Sequence, residues 1–138
     1  MKIQWMRVLL GGFLIELILA VVLIGGFAAA GVQLSENISS TSSAIIGAGC
    51  FAVAFVVVLW LGKGITSQVV LHGLLIGLAA TLLYVALLFG SGQLSPALAA
   101  YGPVTFVTVN ALRILGAALG GVLCDRRHAL RPATPSAV

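Results

Sequence analysis

Two residues of this chain carry chemistry that an apolar medium would not tolerate unaided, Glu16 and Arg113. Glu16 ends the run Leu10-Gly11-Gly12-Phe13-Leu14-Ile15-Glu16, and Arg113 sits inside PVTFVTVNALRILGAALGGVLC, residues 103–124. A carboxylate can take up a proton or a cation, whereas a guanidinium stays charged and offers five N–H donors. Side by side they make either a neutral link that fixes the register of two helices or a proton- or ion-handling site. Ionisable residues inside a membrane are functional candidates by default. Their neighbours have the character of an inward face. Gly12, Glu16 and Ala20 share one side of a helix at i, i+4 spacing, and Asn110, Arg113, Gly116 or Ala117, Gly120 and Cys124 fall on or near one side of another. Gly12 and Asn110 are therefore expected to support the Glu16–Arg113 pair, whether within one chain or between two.

No other constellation competes. His72 and His128 stand alone, and neither a CxxC nor an HExxH motif is present. No nucleophile–base pair, metal set or cofactor fingerprint is found, so no catalytic residue, metal ligand or cofactor is expected. Thr81, Thr105 and Thr108 can bond back to their own helix backbone.

The elements that must position the pair follow from composition. Of 138 residues, 61% are hydrophobic and 7% charged, against roughly 45–50% and 25% in soluble domains. The excess gathers in four apolar blocks, about 8–30, 44–61, 68–89 and 103–124, each near the ~20 residues a helix needs to cross a bilayer. The first could be read as a signal peptide, but its length and internal Glu16 favour an uncleaved span. Residues 1–124 thus form one membrane domain, and the basic, proline-rich residues 125–138 an unstructured tail. Ser42 or Ser43 is expected to cap span two, Thr66 or Ser67 span three, and Ser95 a turn that starts at Pro96. Starting span four at Pro103 gives ~33 Å of helix to Cys124, whereas starting it at Pro96 gives ~43 Å. The short loop at Lys63 predicts a tight antiparallel hairpin of spans two and three.

Orientation follows from the basic residues. Lys2, Arg7, Lys63, Arg126, Arg127 and Arg131 fall on one side of such a four-span arrangement, and the opposite loops have no lysine or arginine. By the positive-inside rule that side, with both termini, is cytoplasmic. Trp5 and Trp60 are expected at the inner interface, Tyr84 and Tyr101 toward the outer one. Cys50 and Cys124 then lie most of a membrane apart, too far for a disulfide, and His72 is expected at the cytoplasmic end of span three. The net charge of +4 serves orientation; without basic patches interleaved with aromatics, nucleic acid is excluded as a partner.

Depth places the pair at one level. Glu16 lies about 12 Å from the start of its span at Val8, and Arg113 about 16 Å from the end of its span at Cys124. A central arginine costs ~2.5–3.5 kcal/mol on insertion scales, while each strongly apolar residue returns only ~0.3–0.6 kcal/mol. Span four therefore depends on neighbours that neutralise Arg113. Gly73-x-x-x-Gly77 and Gly116-x-x-x-Gly120 let helix backbones approach closely, between spans or between copies.

The opening Leu10 to Glu16 resembles that of the small multidrug resistance transporters, four-span proteins that work as dimers with a glutamate in span one. The third span lacks that family's tryptophan and Gly-x-Gly segment, and Arg113 is foreign to its pattern. The chain also resembles uncharacterised small bacterial membrane proteins of four spans, through Val8 to Gly12, Gly62 to Gly77 and Gly116 to Gly121. That resemblance implies an architecture without an activity.

The expectation is an all-α, four-transmembrane-helix bundle, up-down-up-down with both termini cytoplasmic, multi-pass in the plasma or inner membrane. Its partners are the lipid bilayer and a second copy or another membrane protein. A non-enzymatic accessory or structural role is expected, the alternative being a small proton-coupled transporter using Glu16. A transporter should show a cavity reaching Glu16 from one side, an accessory protein a closed, dry bundle.

Overall fold

The computed structural model describes residues 3–30, 40–65 and 67–130. These residues form five α-helices: α1 (Trp5–Ala30), α2 (Ser40–Leu61), α3 (Val69–Gly90), α4 (Leu94–Tyr101) and α5 (Pro103–Ala129). A 3-10 turn, Gly62–Gly64, follows α2. Four of the helices, all but α4, are long and apolar enough to cross a membrane. Large apolar side chains cover their outward faces, among them Leu9, Phe13, Val56, Leu82 and Val107, all exposed. Outward faces this apolar suit lipid rather than water.

Several boundaries differ from the sequence reading for local reasons. Span four does begin at Pro103 as expected, where proline suits the first helical position. The preceding Gly102, at φ +72°, ends α4 and starts α5, a left-handed conformation that favours glycine. The segment expected to form only a turn is a two-turn helix, α4. It starts at Leu94 behind Gln93, so Ser95 lies inside the helix and not at its cap. Gln68, not a hydroxyl residue, precedes α3; it adopts φ +53° and makes no side-chain capping bond. Thr66 and the Asn37-Ile38-Ser39 sequon lie outside the described residues. At the other end α5 runs on through Arg126, Arg127 and His128, whose basic side chains complement its C-terminal dipole.

Lateral order is the main departure. Spans two and three do not pack as a hairpin: α2 and α3 scarcely touch, and α5 lies against both. The two principal interfaces, α2–α5 and α3–α5, are joined by α1, which packs on α3 and α2. The four long helices therefore form a square in which α2 faces α3 across one diagonal and α1 faces α5 across the other.

Glycine placement explains this order. A Cβ at Gly116 would strike the Phe51 carbonyl, and one at Gly120 would lie 2.8 Å from the Phe55 carbonyl, both on α2. On the α3 side, a Cβ at Gly121 would lie 2.9 Å from the Val69 carbonyl, and one at Gly73 would lie 2.6 Å from the Ala117 carbonyl. Gly77 faces Ala117 and Ile114 just as closely. Successive helical residues are rotated by about 100°. The doublets Gly116-Ala117 and Gly120-Gly121 therefore give α5 two small faces at nearly a right angle, one for each neighbour. On the far side of the bundle a Cβ at Gly12 would lie 3.0 Å from the Ala79 Cβ and the Ala80 backbone nitrogen of α3, closer than ordinary van der Waals contact. Between these contacts lies a core of Val8, Ile15, Leu19, Ile46, Cys50, Ala54, Val58, Ile76, Ala80 and Ala117.

Candidate functional site

Arg113 is where the four long helices meet. It is 3% exposed, and its Nη1 lies 2.7 Å from Glu16 Oε1 of α1, across the diagonal. Its Nη2 approaches Cys50 Sγ of α2 at 3.9 Å. Its guanidinium carbon stands 4.9 Å from the centroid of the Tyr84 ring of α3. Tyr84 in turn stacks on Phe106 of α5, with centroids 6.0 Å apart. The arginine thus has a counter-charge, a soft acceptor and an aromatic face, one from each helix around it. A cation over an aromatic face adds about 0.5–2 kcal/mol as water is excluded.

The packing directions agree with this assembly. Side chains on a helix lean toward its N-terminus. Arg113 on α5 therefore leans toward the α4 end of the bundle, and Tyr84 on α3 leans back away from it, so the two meet at one level. Tyr84 points inward over the arginine rather than out to an interface. The sequence alone places it toward the outer interface and marks Cys50 only as too far from Cys124 for a disulfide. The usable signal was depth: Cys50 lies about 15 Å along α2, comparable to Arg113 at about 15 Å along α5.

The site is incompletely satisfied. The Glu16–Arg113 contact is ionic but poorly aligned, so Glu16 Oε1 and Arg113 Nη1 make no hydrogen bond. Arg113 Nε has no partner either. Asn110, 7% exposed, donates from Nδ2 to the Phe106 carbonyl at 2.8 Å, which leaves its Oδ1 buried and unpartnered. Thr108 bonds back to the Val104 carbonyl at 2.9 Å, whereas the buried Thr81 hydroxyl finds no partner. Buried polar atoms are nearly always bonded, so these exceptions single out the region around Arg113 as the polar spot of an otherwise apolar bundle.

A cavity of about 350 Å³ opens above this cluster. Glu16, Asn110 and Arg113 form its polar floor, and Leu19, Ile46, Leu87 and Val109 belong to its apolar wall. Ser91 and Tyr101, from the α3–α4 end, complete the lining. Burial raises the Tyr101 phenol above its ordinary range, so it stays neutral and able to donate.

The remaining predicted residues lie elsewhere. Gly73, Gly77, Gly116 and Gly120 serve the helix interfaces, and Gly12 the α1–α3 contact. His72 is fully buried rather than interfacial. Its Nε2 accepts from the Gln4 backbone N–H at 3.0 Å, and its Nδ1 donates to the Gln68 carbonyl at 2.9 Å. It ties the start of α1 to the start of α3. Cys50 and Cys124 form no disulfide; Cys124 packs beside Ile65 and Val69 near the Gly62–Gly64 turn. Comparison with known proteins finds no matching family model, no matching curated protein and no matching solved structure.

Proposed function

We propose that this chain is a multi-pass integral membrane protein without enzymatic activity that holds a small molecule in the half of its bundle capped by α4. The observation that carries this reading is the cavity of about 350 Å³ whose floor is the Glu16–Arg113 pair. A scaffold needs no such space. The volume falls at the lower end of the ~300–1,000 Å³ typical of small-molecule sites, and a mostly apolar wall with a few convergent polar groups is their usual character. Of the two roles open at the sequence level, the cavity favours the transporter class over a closed accessory bundle. The same pair also holds α1 to α5, whose backbones barely meet.

The topology that goes with this function is up-down-up-down, with both termini and the Lys63 turn cytoplasmic in the plasma or inner membrane. Arg7 beside the Gly62–Gly64 turn, and Gln4 beside His72, group the basic residues at one end of the bundle. The cavity then lies in the outer half. The lipid bilayer is the partner of the outward apolar faces. The close-approach glycines are used within the chain, which leaves self-association to other surfaces.

Val109 lies on the cavity lining, half-buried, and tests the reading. In proteoliposomes carrying Val109→Cys together with Cys50→Ala and Cys124→Ala, an external methanethiosulfonate is expected to modify the introduced thiol in the folded protein. Modification only after denaturation would mean a closed bundle and would return the chain to the accessory class.

A further inference from the structure

We infer a second site, at the end of the bundle away from the cavity: a pocket between α2 and α5 that seats the phosphate of an anionic phospholipid. The inference rests on the membrane placement proposed above and not on the cavity. A hollow of about 90 Å³ lies beside the Gly62–Gly64 turn, lined by Leu59, Lys63, Cys124, Arg127 and His128. Close backbone approach brings its walls together. A Cβ at Gly62 would lie 2.8 Å from Cys124 Sγ, so the turn that carries Lys63 sits directly on the last turns of α5. Cys124, Arg127 and His128 stand at i, i+3 and i+4 and share one face of that helix. The positive groups are open to a ligand: Lys63 and Arg127 are exposed, and His128 is half-buried. Among the described residues neither Lys63 nor Arg127 is ion-paired. Asp125, the acid of α5, is rotated about 100° from Cys124 and does not line the hollow.

The lining selects the head group. Two cations without a counter-charge, one a planar guanidinium and one a compact ammonium, suit the oxygens of a phosphate. Position selects a lipid over a soluble phosphate. Trp60, next to Leu59 and exposed, is of the kind that sits at head-group level. One turn farther into the membrane, Val56 before Leu59 and Leu123 before Arg127 expose apolar side chains. They give acyl chains a track that starts at the basic pocket, and Leu59 joins the two regions. Basic pockets between spanning helices on the cytoplasmic side are where anionic head groups bind. Charge selects an anionic lipid over a zwitterionic one. The Arg7 guanidinium lies against Gly64 on the same turn and adds to the positive charge. A choline head group would bring its own cation beside these groups, whereas a glycerol head group leaves the phosphate charge for the protein to meet.

The test is quenching of Trp60 fluorescence by brominated lipid, on the full chain carrying Trp5→Phe so that Trp60 is the only tryptophan. The protein is reconstituted in phosphatidylcholine vesicles that contain a rising share of phosphatidylglycerol or phosphatidylcholine brominated near the top of the acyl chains. Brominated phosphatidylglycerol is expected to reach half-maximal quenching at a share about fivefold lower or more, the factor one basic residue contributes at an anionic surface. Arg127→Gln is expected to erase most of that preference. Arg126→Gln removes the same charge from a side of the helix turned away from Cys124 and is expected to keep it. If Arg127→Gln does not fold, Lys63→Gln takes its place. Equal losses in the two variants would overturn the proposal, since they mean diffuse attraction to a charged surface and no pocket. Excess inorganic phosphate reversing the phosphatidylglycerol quenching would overturn it too, because the site would then take a soluble anion. Quenching by both lipids without preference sinks the pocket alone; no quenching by either sinks the membrane placement.

Discussion

Removing the two charges singly and together is expected to give losses that do not add. Glu16→Gln leaves a guanidinium that is 3% exposed and cannot shed its proton. Breaking a buried pair by deleting one partner typically costs about 3–5 kcal/mol. The Tyr84 ring, 4.9 Å from the guanidinium carbon, remains in place and offsets up to about 2 kcal/mol of that. A net loss of about 2–4 kcal/mol is therefore expected for Glu16→Gln. Arg113→Leu leaves a carboxyl group that can become neutral by taking up a proton, so its loss should lie near the low end of that range and grow as the pH is raised. The double substitution leaves no buried charge and should fall within about 1 kcal/mol of the parent, since apolar replacement of a buried pair is often neutral. The coupling energy, the two single losses together less the double one, is then about 3–6 kcal/mol. Reversible unfolding in mixed micelles, titrated with dodecyl sulfate and followed by helical circular dichroism, measures all four proteins. Losses that simply add, with coupling under about 0.5 kcal/mol, would refute the view that this pair holds α1 to α5 across the bundle.

Two further outcomes follow from packing. Gly116→Ala would drive a Cβ into the Phe51 carbonyl and should cost about 1–3 kcal/mol or more, whereas Gly49→Ala, which meets nothing within 4 Å, should be stabilising by about 0.5–1 kcal/mol; the same unfolding titration ranks them. His72→Phe deprives the Gln4 N–H of its acceptor and should cost about 1–3 kcal/mol, with faster hydrogen exchange at the start of α1 as the specific sign.

Much of the architecture was legible because a bilayer leaves a chain few options. Runs of apolar residues near twenty long have to be helical, and a charge in such a run has to face a partner. That logic brings out the four long helices, the break at Gly102-Pro103 and the pairing of Glu16 with Arg113 from residue types and depths alone. Lateral order is different. Nothing in the spacing of α2 and α3 along the chain says that they lie across a diagonal, since a short connection fits adjacent helices as well. That order came from the doublets Gly116-Ala117 and Gly120-Gly121, which admit two backbones to α5 at a right angle, and a doublet has meaning only once its neighbours are known. Cys50, Tyr84 and the cavity were hidden for the same reason. A cysteine and a tyrosine in apolar sequence carry no mark of the arginine they will meet, and an unfilled volume is a property of four surfaces that do not quite close. Sequence determined which groups needed company inside an apolar bundle; packing alone decided who provided it and where the four surfaces leave a cavity.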